Sequence, residues 1–91
     1  MKERIPRNEA ELAFWNAAKA KGWRLQKRGW PDFFCRKPDG SICVVEVKQK
    51  RSDRLKSSQR LVMEELSTFG ISCFRWSPDG GLEIVSKGSP L

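Results

Sequence analysis

The chain has 91 residues, enough for one domain with a modest hydrophobic core and too few for two. Eighteen Lys and Arg against eleven Asp and Glu give a formal net charge of +7, which favours a polyanion such as nucleic acid as partner, although a small protein can be basic without one. The absence of His and Tyr excludes imidazole bases, His-metal sites and Tyr nucleophiles, so any catalysis must depend on carboxylates, lysine and metal ions.

Neither a membrane segment nor a disulfide framework is predicted. The sequence contains no apolar run of about 18 residues, and its N-terminal residues lack the hydrophobic centre of a signal peptide, so we expect a cytoplasmic protein. The three cysteines, Cys35, Cys43 and Cys73, show no Cys-x-x-Cys spacing, and we expect them to be reduced, buried thiols.

The first predicted elements are a helix and a short strand. Residues 8–21 are rich in Ala, with Asn8 as the expected N-cap and Gly22 just past the end, so they predict a helix. Residues 23–29 follow as a short candidate strand.

A β-hairpin is predicted next. Residues 32–37 and 41–50 are apolar segments that flank Pro38-Asp39-Gly40. This tripeptide favours a turn because Pro presets φ and Gly accepts a positive φ.

The second half of the chain predicts a helix and a closing hairpin. A polar, basic segment leads into a helix over residues 60–69, and residues 71–76 and 82–87 form the hairpin strands. The order is therefore α-β-β-β-α-β-β, an α/β domain whose mixed sheet has one helix on each side or both on one. The apolar face of the second helix is predicted to include Leu55, Val62, Met63, Leu66 and Phe69.

The most apolar strand carries a glutamate and a lysine two residues apart, Glu46 and Lys48. Strand side chains alternate, so both point to the same face of the sheet. A three-residue loop at 38–40 would place Glu46 directly opposite Asp32, whereas a four-residue loop would place Val45 opposite Asp32. Alternatively, Asp32 caps a turn, and Glu46 and Lys48 are the solvated end of the strand.

Two carboxylates side by side on a sheet repel each other, so the first register predicts a cation between them. Mg²⁺ binds carboxylate and carbonyl oxygens, keeps several waters, and commonly uses one or two carboxylates together with substrate phosphates. Lys48, on the same face, would place an ammonium group near the bound water and the phosphate.

These residues resemble a known signature. "PD" at Pro31-Asp32 and "EVK" at 46–48 look like the motif of PD-(D/E)XK nucleases. The wider layout is similar to the VRR-NUC branch, with "NEAEL" opening the first helix, then "GWPDFF", "VVEVKQ" and "SSQRLVMEEL". The similarity covers nearly the whole chain and implies a single nuclease domain, residues 1–91, with a restriction-endonuclease-like core.

The resemblance also implies residue roles. Asp32, Glu46 and the backbone carbonyl of Val47 would bind Mg²⁺ or Mn²⁺, and Lys48 would orient or activate water.

Two further positions are implied by the resemblance with alternatives open. A glutamate on the first helix usually joins the metal site, and the family pattern favours Glu9 over Glu11, whereas helical periodicity does not decide and either could be an ordinary first-turn acid. Gln59 matches a family glutamine, with a role beside the active site or as a cap for free backbone N–H groups.

The segment after the motif is strongly basic. Lys50, Arg51, Arg54 and Lys56 lie where a phosphate backbone would pass, and we expect them to contact DNA. Such a run is also typical of a solvated loop.

The function expected from these features is a Mg²⁺- or Mn²⁺-dependent DNA endonuclease. The small chain has little surface for reading bases, so selectivity for branched or junction DNA is expected rather than sequence specificity. Similarity to small archaeal and phage junction resolvases implies a homodimer and the cytoplasm of a bacterial or phage-infected cell. The alternatives are a non-catalytic basic nucleic-acid-binding module and a nuclease subunit that is active only with a partner.

Overall fold

The computed structural model describes residues 5–27 and 29–88 and has the predicted order of elements. This confirms the mixed α/β architecture and is consistent with a restriction-endonuclease-like core. The elements are α1 (Glu9–Ala20), β1 (Arg24–Lys27), β2 (Phe33–Arg36), β3 (Ile42–Val47), α2 (Ser57–Thr68), β4 (Ser72–Ser77) and β5 (Gly81–Ser86).

The strands form one five-stranded sheet in the order β1-β2-β3-β4-β5. Neighbouring strands are antiparallel except β3 and β4, which are parallel. A parallel pair needs a crossover connection, and α2 with its preceding loop provides it. As a result, α2 begins at the same end of the sheet as the end of β3, where Glu46 lies.

The two helices cover opposite faces of the sheet. Phe14 of α1 packs with Phe33 and Val45 on one face, whereas Met63 of α2 packs with Val44 on the other. The central strand β3 is therefore buried on both faces, which explains why its sequence is almost continuously apolar. Among the described residues, neither helix is long and apolar enough to cross a membrane.

The sequence signals at the start of α1 and at the first hairpin act as predicted. The Asn8 side chain accepts hydrogen bonds from the N–H groups of Ala10 and Glu11, at 2.9 and 3.1 Å, and caps the helix. In the hairpin, the Lys37 N–H donates to the Ser41 carbonyl at 2.9 Å, and Gly40 has φ 87°. The loop therefore has three residues, as expected.

The predicted apolar face of α2 is partly wrong. Met63 is fully buried and Leu66 is partly buried, but Val62 is 45% and Phe69 69% exposed. The helix lies mainly over β4 and β5, so only a narrow strip of its surface meets the sheet. Ser67 takes the buried position one turn after Met63.

We predict opposite responses at two neighbouring phenylalanines. Phe33 is fully buried, with ring centroids 5.2 Å from Phe14 and 6.2 Å from Trp15, so Phe33→Ala should lower the free energy of unfolding by about 3–5 kcal/mol. Phe34, which points to the other face and is 38% exposed, should tolerate Ala with a loss below about 1.5 kcal/mol. Urea unfolding measures both values. Equal losses would contradict the assignment of faces in β2.

Candidate functional site

The site is built on the end of the β2–β3 hairpin. Phe33 pairs with Val45 and Phe34 with Val44, so the next positions along the same register are Asp32 and Glu46. Each residue accepts a backbone hydrogen bond from the other strand: the Asp32 N–H donates to Glu46 Oε1 at 3.1 Å, and the Val47 N–H donates to Asp32 Oδ2 at 2.9 Å. The register that places the two carboxylates side by side is confirmed.

Both carboxylates sit in an environment that disfavours two negative charges. Burial, followed by the negative charge of Asp32, raises the pKa of Glu46 to about 7, and its exposed fraction is only 6%. Burial also raises the pKa of Asp32, although the Val47 N–H works in the opposite direction. At neutral pH, a proton bound to one carboxyl group or a cation bound between the two would therefore stabilise the pair.

Lys48 lies on the same side as Glu46, as predicted from strand alternation. Its Nζ is 3.6 Å from Glu46 Oε2, and its side chain is 20% exposed. The backbone of Lys48 continues the ladder beyond β3, because its N–H donates to the Trp76 carbonyl at 2.8 Å. An ammonium group is thus held next to the carboxylate pair with part of its surface open to a ligand.

On α1, the structure brings Glu11 rather than Glu9 towards this pair. The negative charge of Glu11 contributes to raising the pKa of Asp32, and Glu11 Oε1 lies 2.5 Å from Lys27 Nζ. Glu9 is exposed in the first turn. The two residues are about 200° apart around the helix, so the rotation of α1 that buries Ala10 and Phe14 decides which one faces the end of β1.

The carboxylate pair suits a hard divalent cation that keeps other ligands. Within the described ranges, no three His, Cys, Asp or Glu side chains are grouped closely enough to hold a metal ion by themselves. Asp32 and Glu46 each use one oxygen to accept a backbone hydrogen bond, which orients the carboxylates, and the other Glu46 oxygen, Oε2, lies 3.6 Å from Lys48 Nζ. Mg²⁺ commonly binds two carboxylates in this way and completes its shell with carbonyls, water and phosphate.

Gln59 has a structural role at the start of α2. Its Oε1 accepts a hydrogen bond from the Lys56 N–H at 3.0 Å, which satisfies one of the free N–H groups of the helix terminus. The structure thus shows the capping hydrogen bond, and a role of Gln59 beside the active site stays a prediction.

The basic segment after β3 is exposed, but hydrogen bonds to the β4–β5 hairpin fix its backbone. Lys50, Arg51, Arg54 and Lys56 are all exposed. The loop is tied to the β4–β5 hairpin by Arg75, whose Nη2 donates to the carbonyls of Lys50 and Arg51 at 3.2 and 2.5 Å. At the other side, the Arg51 N–H donates to Asp79 Oδ1 at 2.7 Å.

Arg75 was not identified by sequence reasoning. It is directly next to Glu46 in the β3–β4 register, and its side chain is only 14% exposed. Glu83, opposite Arg75 on β5, lies between the two arginines, with Oε1 3.9 Å from Arg75 Nε and Oε2 3.6 Å from Arg51 Nε. The signal in the sequence is a charged residue inside the apolar strand "ISCFRW", just as Glu46 is a charged residue inside the apolar strand β3.

We predict a pH-dependent stability effect at Glu46. Because its pKa is higher in the folded protein than the ordinary 4.5, the protonated form favours folding below about pH 4.5, and this contribution is lost as the pH rises through about 7. In metal-free buffer at pH 8, Glu46→Gln should therefore raise the free energy of unfolding by roughly 1 to 3 kcal/mol, and the gain should vanish near pH 4. Urea unfolding across this range measures the difference. The exposed Glu9→Gln serves as control, and a gain at pH 4 as large as at pH 8 would contradict the charge-pair account.

A second prediction concerns the loop anchor. Arg75→Lys keeps the positive charge but loses the planar fork that binds two carbonyls, so trypsin should cut the loop after Lys50, Arg51 and Arg54 faster than in the original protein. Mass spectrometry of early fragments measures these rates. Arg60→Lys, an exposed change on α2, should leave them unaltered. Unchanged rates in Arg75→Lys would mean that the loop is held by other contacts.

Comparison with known proteins identifies the family of the chain. A family model described as the VRR-NUC domain matches residues 4–74, which include Asp32, Glu46 and Lys48. No curated protein and no solved structure gives a significant match. The family match covers most of the chain, from the segment before α1 into β4. The protein therefore belongs to the VRR-NUC family, which is a family of nuclease type.

Proposed function

We propose that the protein is a Mg²⁺- or Mn²⁺-dependent DNA endonuclease with its active site at Asp32, Glu46 and Lys48. The observation that carries the proposal is the buried carboxylate pair, which is oriented by reciprocal backbone hydrogen bonds beside an ammonium group. A stable fold does not need two carboxylates in this arrangement, because burial raises the pKa of both and the negative charge of Asp32 raises the pKa of Glu46 further.

Asp32 and Glu46 would hold the metal ion, with the Val47 carbonyl as a further ligand and the Glu11 carboxylate acting through water. When bound, the metal ion would lower the pKa of the attacking water and neutralise charge on the phosphate. Glu11 replaces Glu9 in this proposal because its charge reaches Asp32.

Lys48 has the position and charge to act on the reacting phosphate. Its Nζ is close to Glu46 Oε2, which keeps the ammonium group on the side of the carboxylates. From there it would donate hydrogen bonds to a phosphate oxygen or to the attacking water, and stabilise the negative charge that develops in the transition state.

The substrate proposed is branched or junction DNA, cut by a homodimer. One chain has one such site and would cut one strand, so cutting two strands requires two copies. Exposed apolar side chains on α2 support self-association, since a second copy would remove them from water. They are Leu61, Val62 and Phe69, with exposed fractions of 62, 45 and 69%.

The test separates binding from chemistry. Lys48→Ala should leave the fold and DNA binding near those of the original protein while cleavage falls by about 10² to 10⁴, the range typical of groups that transfer protons or stabilise charge. Cleavage is measured on branched and linear DNA with Mn²⁺, and binding is measured with Ca²⁺ in its place. Lys21→Ala, which removes an exposed lysine at the end of α1, is the matched control and should retain cleavage.

Metal binding is tested in the same set of variants. Mn²⁺ should raise the melting temperature of the original protein, and Asp32→Asn should abolish this shift because a neutral amide is a poor ligand for a hard cation. Cleavage by Lys48→Ala at the original rate would remove the catalytic role of Lys48. Binding of branched DNA without any metal-dependent cleavage would favour a binding module or a subunit that needs a partner.

A further inference from the structure

Half of one sheet face has no helix over it. On the side of the sheet where Glu46 lies, α2 covers β4 and β5, and Trp30 and Leu55 pack against Val44 on β3. On this face no helix covers β1 and β2, among the described residues. These two strands line a shallow cleft of about 350 Å³. The side chains that point to this face are Arg24, Gln26, Phe34 and Arg36.

Two arginines face each other across this surface. Arg24 of β1 pairs directly with Arg36 of β2, and both are exposed. In the described part of the chain neither guanidinium forms an ion pair with a carboxylate. Like charges directly opposite each other destabilise a sheet, so the pair suits an anion that lies between or along the two side chains.

The surface leads to the carboxylate pair. Arg36, Phe34 and Asp32 occupy alternate positions of one strand, so they lie on the same face of the sheet. At about 3.3 Å per residue, the distance from Arg36 to Asp32 is about 13 Å along the strand. Phe34 lies between them, with 38% of its surface exposed although its ring would pack well in the core.

We propose that this face of β1 and β2 binds an unpaired strand of DNA and directs it to the carboxylate pair. Arg24 and Arg36 bind its phosphates, and the ring of Phe34 stacks on a base. The inference rests on the proposed nuclease function and adds a substrate path on the open face, away from the basic loop after β3.

A single strand fits this surface better than a duplex. An exposed aromatic ring on a flat sheet face can stack on a base only where the base is not already stacked in a double helix, and aromatic stacking tolerates any base sequence. The two arginines contact the backbone and read no bases, since phosphate contacts carry no sequence information. DNA with an unpaired arm next to a duplex would thus be preferred because of its shape.

The experiment measures binding without turnover. Fluorescence anisotropy with Ca²⁺ in place of Mn²⁺ compares a labelled oligo-dT strand with a duplex of equal length over a range of salt concentrations. The variants are Arg24→Gln/Arg36→Gln, Phe34→Ala and the control Lys21→Gln, which removes an exposed positive charge at the end of α1 on the other side of the sheet.

Loss of two phosphate contacts should reduce the slope of log affinity against log salt by roughly 1.4 for the single strand. If the affinities are equal at about 1 M salt, this corresponds to roughly 70-fold weaker binding at about 50 mM salt. Phe34→Ala should weaken oligo-dT binding by about fivefold or more and leave the salt slope unchanged, because stacking releases no counterions. Lys21→Gln should retain the original slope and affinity. Urea unfolding should show that the double variant is at least as stable as the original protein, since a repulsive pair has been removed.

Cleavage gives a second measurement. On DNA with an unpaired arm, the arginine and Phe34 variants should have a higher KM and a near-normal kcat, because they bind the strand away from the reacting phosphate.

The proposed path would be overturned if the double variant had the same salt slope as the unsubstituted protein, or if Lys21→Gln lost as much affinity for oligo-dT as the double variant. Either result would leave the nuclease proposal intact. Preferential binding of oligo-rU over oligo-dT that depends on these residues would overturn the assignment to DNA. An original protein that neither binds nor cuts DNA would overturn both proposals.

Discussion

The structure of the site depends on the reciprocal hydrogen bonds that join Asp32 to the end of β3. Each carboxylate accepts an N–H from the opposite strand, so the two segments fix each other in place and in orientation. This arrangement requires the three-residue loop at the far end of the hairpin, because a change of one residue in register would turn one carboxylate to the other face. A turn about 20 Å away along the strands therefore determines the spacing of the two charges.

The unequal cover of the sheet is the second constraint. The α1 helix and the core beneath it bury one face across several strands, whereas α2 lies over β4 and β5 on the other face. The carboxylate pair lies at the border between the covered and the open half. Burial from one side raises the proton affinity of Glu46, and the open half leaves a way for an extended ligand to reach it.

Much of this could be predicted from the sequence because the signals were local. The turn at Pro38-Asp39-Gly40 determined the register, and strand alternation placed Glu46 and Lys48 on one face. Neither the orientation of Glu11 towards Asp32 nor the exposure of Val62 and Phe69 could be predicted, because both depend on how a helix is rotated and placed on the sheet. Periodicity shows which residues share a helix face, but only packing shows which face meets the sheet.

The anchoring of the basic loop by the C-terminal hairpin has a consequence for the modular organisation of the chain. The family match ends at Phe74, yet the residues that hold the loop, Arg75, Asp79 and Glu83, all follow that position. The carboxylate pair and Lys48 thus lie within the part of the chain that matches the family. The conformation of the adjacent basic loop, in contrast, is fixed by a segment that follows the match. Relatives that differ in this hairpin could keep the same reaction centre and present a differently shaped basic surface beside it, so that substrate preference would diverge without change to the chemistry.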